Sequence, residues 1–215
     1  MSDLMLDVGL ADEIKMAARR ANATGADLKA FTVGDTFARI LPVLRGLGEV
    51  VMAKRLRHVG AVSFPALRKN HDPREFFQNR DGLYVWNDFR NQILPVASPM
   101  KKRTPKAKIS IFDLTVAMTD EEIETELGDA HIFEDTGIAC AYLKEMLTRQ
   151  KSGEEGDLLV NGYANILYVR GVNSEVFAVH VHWDAASRGW HVHAFRLDDC
   201  HWCAGDRVLS ATAGA

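Results

Sequence analysis

Two neighbouring segments near the C-terminus alternate between imidazole and apolar side chains, and this pattern constrains the fold more than any other feature of the chain. Histidines alternate with valine or tryptophan in residues 179–183 and again in residues 190–194. Successive side chains of a strand point to opposite faces of a sheet. Each segment therefore predicts a strand with imidazoles on one face, and the short connection at 184–189 predicts a β-hairpin.

The register of this hairpin decides which side chains meet across the two strands. We expect like to pair with like: His180 with His193, His182 with His191, and Trp183 with Trp190. Directly opposed Cβ atoms lie about 4.5–5.5 Å apart. This register collects the imidazoles on one face and leaves the valines and tryptophans to pack against the core.

The chain before this hairpin predicts mostly helices. Apolar residues recur at helical spacing through residues 1–60, which indicates a small helical N-terminal module. Residues 61–215 predict further helices and a C-terminal antiparallel sheet, so the fold class we expect is α+β. Residues 98–108 hold five cations and no acid, which is typical of an exposed basic loop.

Composition excludes several classes of protein. The 215-residue chain has a net charge of −3, which argues against nucleic-acid binding over the whole surface. It contains no apolar run of the roughly 18 residues that a transmembrane helix needs. Acidic residues near its start do not fit a signal peptide, and three cysteines do not make a disulfide framework. We therefore expect a cytoplasmic protein without a membrane partner.

Clustered imidazoles also suit zinc or another transition metal, which gives an alternative function. The metal ligands would then be His180, His182, His191 and His193. Cys200-His-Trp-Cys203 adds two thiols and an imidazole, although one C-x-x-C is a weak signal. Because no closed ligand set and no oxyanion hole can be recognised, we expect neither a metal cofactor nor catalysis.

A second alternative is a nucleic-acid-associated protein that uses the N-terminal helices and the basic loop. The phosphate contacts would come from Arg19, Arg20, Lys29, Arg39 and Arg45. The helix–turn–helix spacing is not specific, and cations on small helical modules are usually solvated. We therefore expect no nucleic-acid partner.

The composition of the chain changes at the hairpin. Residues 176–215 contain no Lys, Glu, Gln or Met, whereas the preceding 175 residues contain 32 of them. At that rate the last 40 residues should hold about seven. Asparagine codons in which only adenines are replaced reach His, Asp, Ser, Arg and Cys, but not Lys, Glu, Gln, Met or Trp. The alternating polar positions of this segment, all of which such codons can produce, are His180, His182, Asp184, Ser187, Arg188, His191, His193, Cys200, His201, Cys203 and Asp206.

This pattern resembles the variable region in target proteins of diversity-generating retroelements, where error-prone reverse transcription randomises template adenines. Asp199-Cys-His-Trp-Cys-Ala-Gly-Asp-Arg-Val-Leu-Ser210 looks like a last variable stretch followed by a closing strand. The resemblance implies a C-type-lectin-like fold and ligand binding by the variable residues. Leu6-Asp-Val-Gly-Leu-Ala-Asp-Glu-Ile-Lys15 and Gly162-Tyr-Ala-Asn-Ile-Leu-Tyr168 are similar to uncharacterised proteins of uncultivated small-genome bacteria.

The function we expect is recognition of a macromolecular or small ligand by a diversified polar surface on the C-terminal hairpin. The eleven positions reached by the asparagine codons would contact the ligand. Trp183, Trp190 and Trp202 would act as rigid support or as anchors. The histidines would make binding sensitive to pH between about 5 and 8.

Overall fold

A computed structural model describes residues 8–47, 54–66, 72–99, 106–197 and 201–211. The chain divides into two compact units between residues 53 and 54. The boundary lies earlier than the expected one at residue 60, because residues 56–64 form a strand of the second unit.

None of the described helices is both long enough and apolar enough to cross a membrane.

The described part of the first unit is helical, as its apolar spacing predicts. It contains α1 (Val8–Arg20), α2 (Gly25–Phe31) and α3 (Thr36–Leu44). Thr24 and Asp27 cap α2 reciprocally, since each side chain accepts a hydrogen bond from the backbone N–H of the other. Pro42 lies inside α3 and does not end it, since the helix runs on to Leu44.

The second unit is built on one mixed sheet, which confirms the α+β class. Its strands are β1 (Leu56–Phe64), β2 (Leu83–Val85), β3 (Ala107–Leu114), β4 (Asn165–Arg170), β5 (Val176–Asp184), β6 (Gly189–Arg196) and β7 (Arg207–Ser210). Its helices are α4 (Pro73–Phe76), α5 (Asn87–Gln92), α6 (Asp120–Leu127) and α7 (Thr136–Arg149). The strand order is β1-β3-β7-β4-β5-β6-β2.

Two expectations about this unit need correction. The sheet is not wholly antiparallel, because β2 pairs with β6 and β4 pairs with β7 in parallel. The expected basic loop at 98–108 is too long at its C-terminal end, since Ala107 and Lys108 already belong to β3. Residues 100–105 of that loop lie outside the described residues.

The sheet is covered on both faces, which is clearest at its central strand β4. Leu167 and Val169 join a core that includes residues of α5 and α7. Ile166 and Tyr168 point the other way, into a second core that includes Ile123 of α6. Because successive side chains of β4 enter cores on opposite faces, its middle residues are all apolar and do not alternate with polar ones.

A buried carboxylate fixes α6 to the sheet. Asp120, at the start of α6, accepts hydrogen bonds from the Tyr168 hydroxyl at 2.6 Å and from Trp202 Nε1 at 2.7 Å. The N-terminus of a helix also favours a negative charge at this position. Burial and the Asp120 carboxylate raise the pKa of Tyr168 above its ordinary value, so the hydroxyl stays protonated and donates.

We expect the substitution Asp120→Ala to lower the free energy of unfolding by about 3 kcal/mol, because it leaves two buried donors without this acceptor. Urea denaturation of the full chain measures the loss. Glu121→Ala, an exposed position in the same helical turn, is the matched control and should change stability by less than about 0.5 kcal/mol. Equal losses in the two variants would contradict this role of Asp120.

Candidate functional site

The histidine hairpin forms with the register that the sequence predicts. The strand pairs include His180 with His193, His182 with His191, and Trp183 with Trp190. Val179, Val181 and Val192 are buried in the core on the opposite face, and so is Trp190. The imidazoles therefore share one face of the sheet, as expected.

β2 extends this face beyond the hairpin. It pairs in parallel with β6, which places Tyr84 beside His191. The backbone N–H of Trp86 donates to the Val192 carbonyl and continues this pairing. The side chains then form two rows across the strands: Tyr84, His191 and His182 in one, and Trp86, His193 and His180 in the other. We call the surface made by these six rings the ring face.

Ring contacts continue along both rows. In the first row, the ring centroids are 4.8 Å apart between Tyr84 and His191 and 5.1 Å apart between His191 and His182. In the second row, the corresponding distances are 4.7 Å from Trp86 to His193 and 5.7 Å from His193 to His180. The first pair of each row and the His193–His180 pair are stacked, so the ring face is a layer of flat surfaces.

The two histidines of β6 are held by polar partners from other elements. Trp86 Nε1 donates to His191 Nδ1 at 3.3 Å, which requires that nitrogen to be unprotonated. The other ring nitrogen of His191 lies 3.1 Å from the Ser187 hydroxyl. His193 Nδ1 lies 3.3 Å from a carboxylate oxygen of Asp88, and this contact orients the ring.

The two histidines of β5 lie deeper. Their Nδ1 atoms are buried, and within the described residues neither has a hydrogen-bond partner. The His180 ring lies between Phe195 and Trp202, with centroids 5.7 and 5.8 Å away. A protonated ring at His180 would therefore be a charge without a counter-charge in an apolar surrounding.

This environment favours the neutral form of three of the imidazoles. Burial, together with the nearby rings of His182 and His193, lowers the pKa of His180 to about 3. Burial is the main cause that lowers the pKa of His182 and of His193 as well, although Asp88 opposes the change at His193. The sensitivity to pH expected between about 5 and 8 is therefore displaced to more acidic values at these three positions.

The loop residues predicted to bind the ligand separate into two groups. Asp184 and Ser187 lie at the His191 end of the ring face, where Asp184 Oδ2 is 3.8 Å from His191 Nε2. Arg188 instead borders a cavity on the reverse side of the hairpin, together with Trp183. The expected single surface is thus divided between the two sides of the sheet.

The predicted residues that follow the hairpin do not all belong to a surface. His201 and Cys203 are exposed, and Cys200 lies outside the described residues. Asp206 is buried, and its carboxylate accepts hydrogen bonds from the backbone N–H groups of Ala164 and Cys203. Asp206 therefore holds two chain segments together, and its role as a ligand contact stays a prediction.

Tyr84, Trp86 and Asp88 are the site residues that sequence reasoning missed. The alternation of Leu83-Tyr-Val-Trp86 indicates a strand, and the structure confirms it as β2 followed by α5. The sequence does not indicate which strand β2 pairs with. Trp86 is exposed, whereas Trp190 and Trp202 are buried, as rigid support would be.

The side chains of the ring face do not form a preassembled metal site. Within the described residues, no group of three or more His, Cys, Asp or Glu side chains is arranged to hold a metal ion. The ring centroids of His182 and His193 are 6.0 Å apart.

Similarity to known proteins gives no family for this chain. No family model matches it, and no curated protein or solved structure matches it either. The ring face is therefore interpreted from its own geometry and charge.

The lowered pKa of His180 predicts a loss of stability in acid. Its unfolded value is near 6.5 and its folded value about 3, so the unfolded state binds more protons between these limits. The free energy of unfolding should fall as the pH drops from 6.5 towards 3, by at most about 1.4 kcal/mol per pH unit from this residue.

The substitution His180→Phe keeps a ring beside Phe195 and Trp202 but removes the titration, so it should flatten that slope in urea denaturation series. His58→Phe, at an exposed position of β1, is the control that should leave the slope unchanged. A slope equal to wild type in the His180→Phe variant would contradict the assignment.

Proposed function

We propose that the chain is a ligand-recognition protein and that its ligand binds at the ring face. The observation that carries this proposal is a single layer of six rings across three strands, with Tyr84 41% exposed and Trp86 50% exposed at its open edge. Rigid aromatic planes give a large contact area and lose little conformational entropy on binding. The partners of His191 and His193 hold these rings in place before a ligand arrives.

The charge of the ring face favours a neutral or cationic organic ligand. Burial lowers the pKa of His180, His182 and His193, so these imidazoles are neutral at pH 7, and the outer edge of the face carries the carboxylates of Asp88 and Asp184. The exposed indole of Trp86 offers its π-surface to a cation. An anionic ligand would meet these carboxylates without a matching positive charge on the imidazoles.

We further propose that the part of this surface contributed by the hairpin is diversified, whereas Tyr84 and Trp86 lie outside the variable region. The polar side chains of the hairpin are types that adenine replacement in asparagine codons produces, and the tryptophan and valine positions behind them form the buried support. Separation of a replaceable surface from a fixed core is what a diversified binding protein requires. The C-type-lectin-like fold implied by the resemblance stays a prediction.

Benzyltrimethylammonium is a suitable first probe, because it combines a cation with one aromatic ring. We expect it to show saturation-transfer NMR signals with the full chain that depend on Trp86, whereas any signals of benzenesulfonate should not depend on Trp86. The substitution Trp86→Ala should weaken binding by about fivefold, the equivalent of ~1 kcal/mol for one cation–π contact.

Tyr163→Ala is the matched control, because Tyr163 is an exposed aromatic residue on another part of the second unit. Its affinity for the probe should equal that of wild type, and circular dichroism should confirm that both variants are folded. The proposed site is wrong if Trp86→Ala binds the cation as wild type does, or if this substitution weakens the benzenesulfonate signals instead of those of the cation.

The diversification makes its own prediction about DNA. Sequencing the several kilobases that flank the gene should find a reverse transcriptase and a near-copy of the codons for residues 176–210. The two copies should differ mainly where the template has adenine, at codons such as those for His191, His193 and Ser187. Absence of both elements would overturn the diversification, while the binding experiment would still test the ring face itself.

A further inference from the structure

We propose that a cavity on the reverse side of the hairpin binds a small organic anion with a flat apolar body. The cavity has a volume of about 500 Å³, which is within the range of small-molecule sites. Trp183 of β5 lines it, whereas His182, the preceding residue, points to the ring face. The cavity and the ring face are therefore separate sites, and this inference does not rest on the proposed function.

The walls of the cavity are apolar and flat. The indole of Trp183 and the ring of Phe76 contribute to them, together with Leu147 near the end of α7. The Trp183 ring meets the Trp190 ring edge-on, with centroids 5.5 Å apart. A planar hydrocarbon part of a ligand would bury its surface against these side chains.

Positive charge predominates at the rim of the cavity. Arg80, Lys151 and Arg188 supply three cations among its lining residues, and Asp81 supplies one carboxylate. The Arg80 guanidinium lies over the Phe76 ring, 4.4 Å from the ring centroid, so this cation is held beside the apolar wall. Arginine and lysine near a partly enclosed surface pair well with a carboxylate, sulfonate or phosphate group.

The backbone segments that carry Lys151 and Arg188 pack against Gly82, so the fold itself brings these two cations together at the cavity. A Cβ atom at Gly82 would lie 3.7 Å from the Lys151 carbonyl oxygen and 4.0 Å from the Arg188 carbonyl oxygen. Gly82 also has φ +77°, a conformation that glycine adopts more easily than other residues. The indole of Trp183 lies over Gly153, where a Cβ would come within 2.4 Å of the ring.

A further contact fixes the back of the cavity. Trp190 Nε1 donates to the Gln150 carbonyl at 2.7 Å, and the buried Gln150 side chain accepts from the Leu158 N–H. These bonds tie the loop that carries Lys151 to β6. Because the walls are preorganised, a ligand need not order them on binding.

The test uses naphthalene-2-sulfonate as the probe and 2-naphthol as its uncharged counterpart, each titrated into the full ¹⁵N-labelled chain. We expect the sulfonate to shift the indole N–H signal of Trp183 saturably, to leave that of Trp86 unchanged, and to bind more weakly as salt is raised. Trp183→Phe assigns the indole signal by removing it.

Loss of the rim charges should weaken the sulfonate selectively. The double variant Lys151→Gln/Arg188→Gln should bind it about tenfold more weakly than wild type, the effect expected for charge pairs in a partly exposed site. Lys108→Gln on β3, which three strands separate from β6, is the control and should bind as wild type does. Equal affinity of the double variant and wild type, equal affinity for 2-naphthol, or a shift confined to Trp86 would each overturn the proposal.

Discussion

The pairing of Trp183 with Trp190 is the constraint on which both sides of the hairpin depend. Trp190 is fully buried, and its indole donates to the Gln150 carbonyl behind the sheet. Because side chains alternate along a strand, a slip by one residue would turn the imidazoles into the apolar core and the valines out of it. Neutral imidazoles could enter such a core only by losing hydrogen bonds to water. The buried indole therefore selects the register, and the register assembles both the ring face and the wall of the cavity.

The hairpin was predictable from the sequence because all of its information is local. The alternation of polar and apolar residues predicts the two strands, and the pairing of Trp183 with Trp190 then fixes the partner of every histidine in them. The neighbouring strand β2 was not predictable as a neighbour, because Leu83 pairs in parallel with Trp190 and no local pattern specifies so distant a partner. The surroundings of Asp206 could not be predicted for a different reason. Its residue type fits a variable surface, but its carboxylate accepts hydrogen bonds from backbone N–H groups that only the folded chain brings together.

One sheet separates two electrostatic environments. On the ring face, burial is the main reason why protonation of His180 and His182 is costly, and the neighbouring imidazoles add to that cost. Positive charge therefore does not accumulate where the histidines are concentrated. On the reverse side, permanent cations stand at the rim of an apolar cavity. If the histidines were counted as cations, the sequence would place the positive charge on the ring face rather than on the side of the cavity.

The structure also limits how freely a diversified ring face could vary. Ser187 is exposed, and His191 and His193 meet partners that lie at the edge of the sheet, so other polar side chains fit there. His180 is different, because its ring fills the space between Phe195 and Trp202. A charged side chain at position 180 would lose its hydration without gaining an ion pair. Under the proposed function, the range of side chains is thus widest at the open edge beside β2 and narrowest next to Trp202. The variable contacts to a ligand would then lie on the side of Trp86.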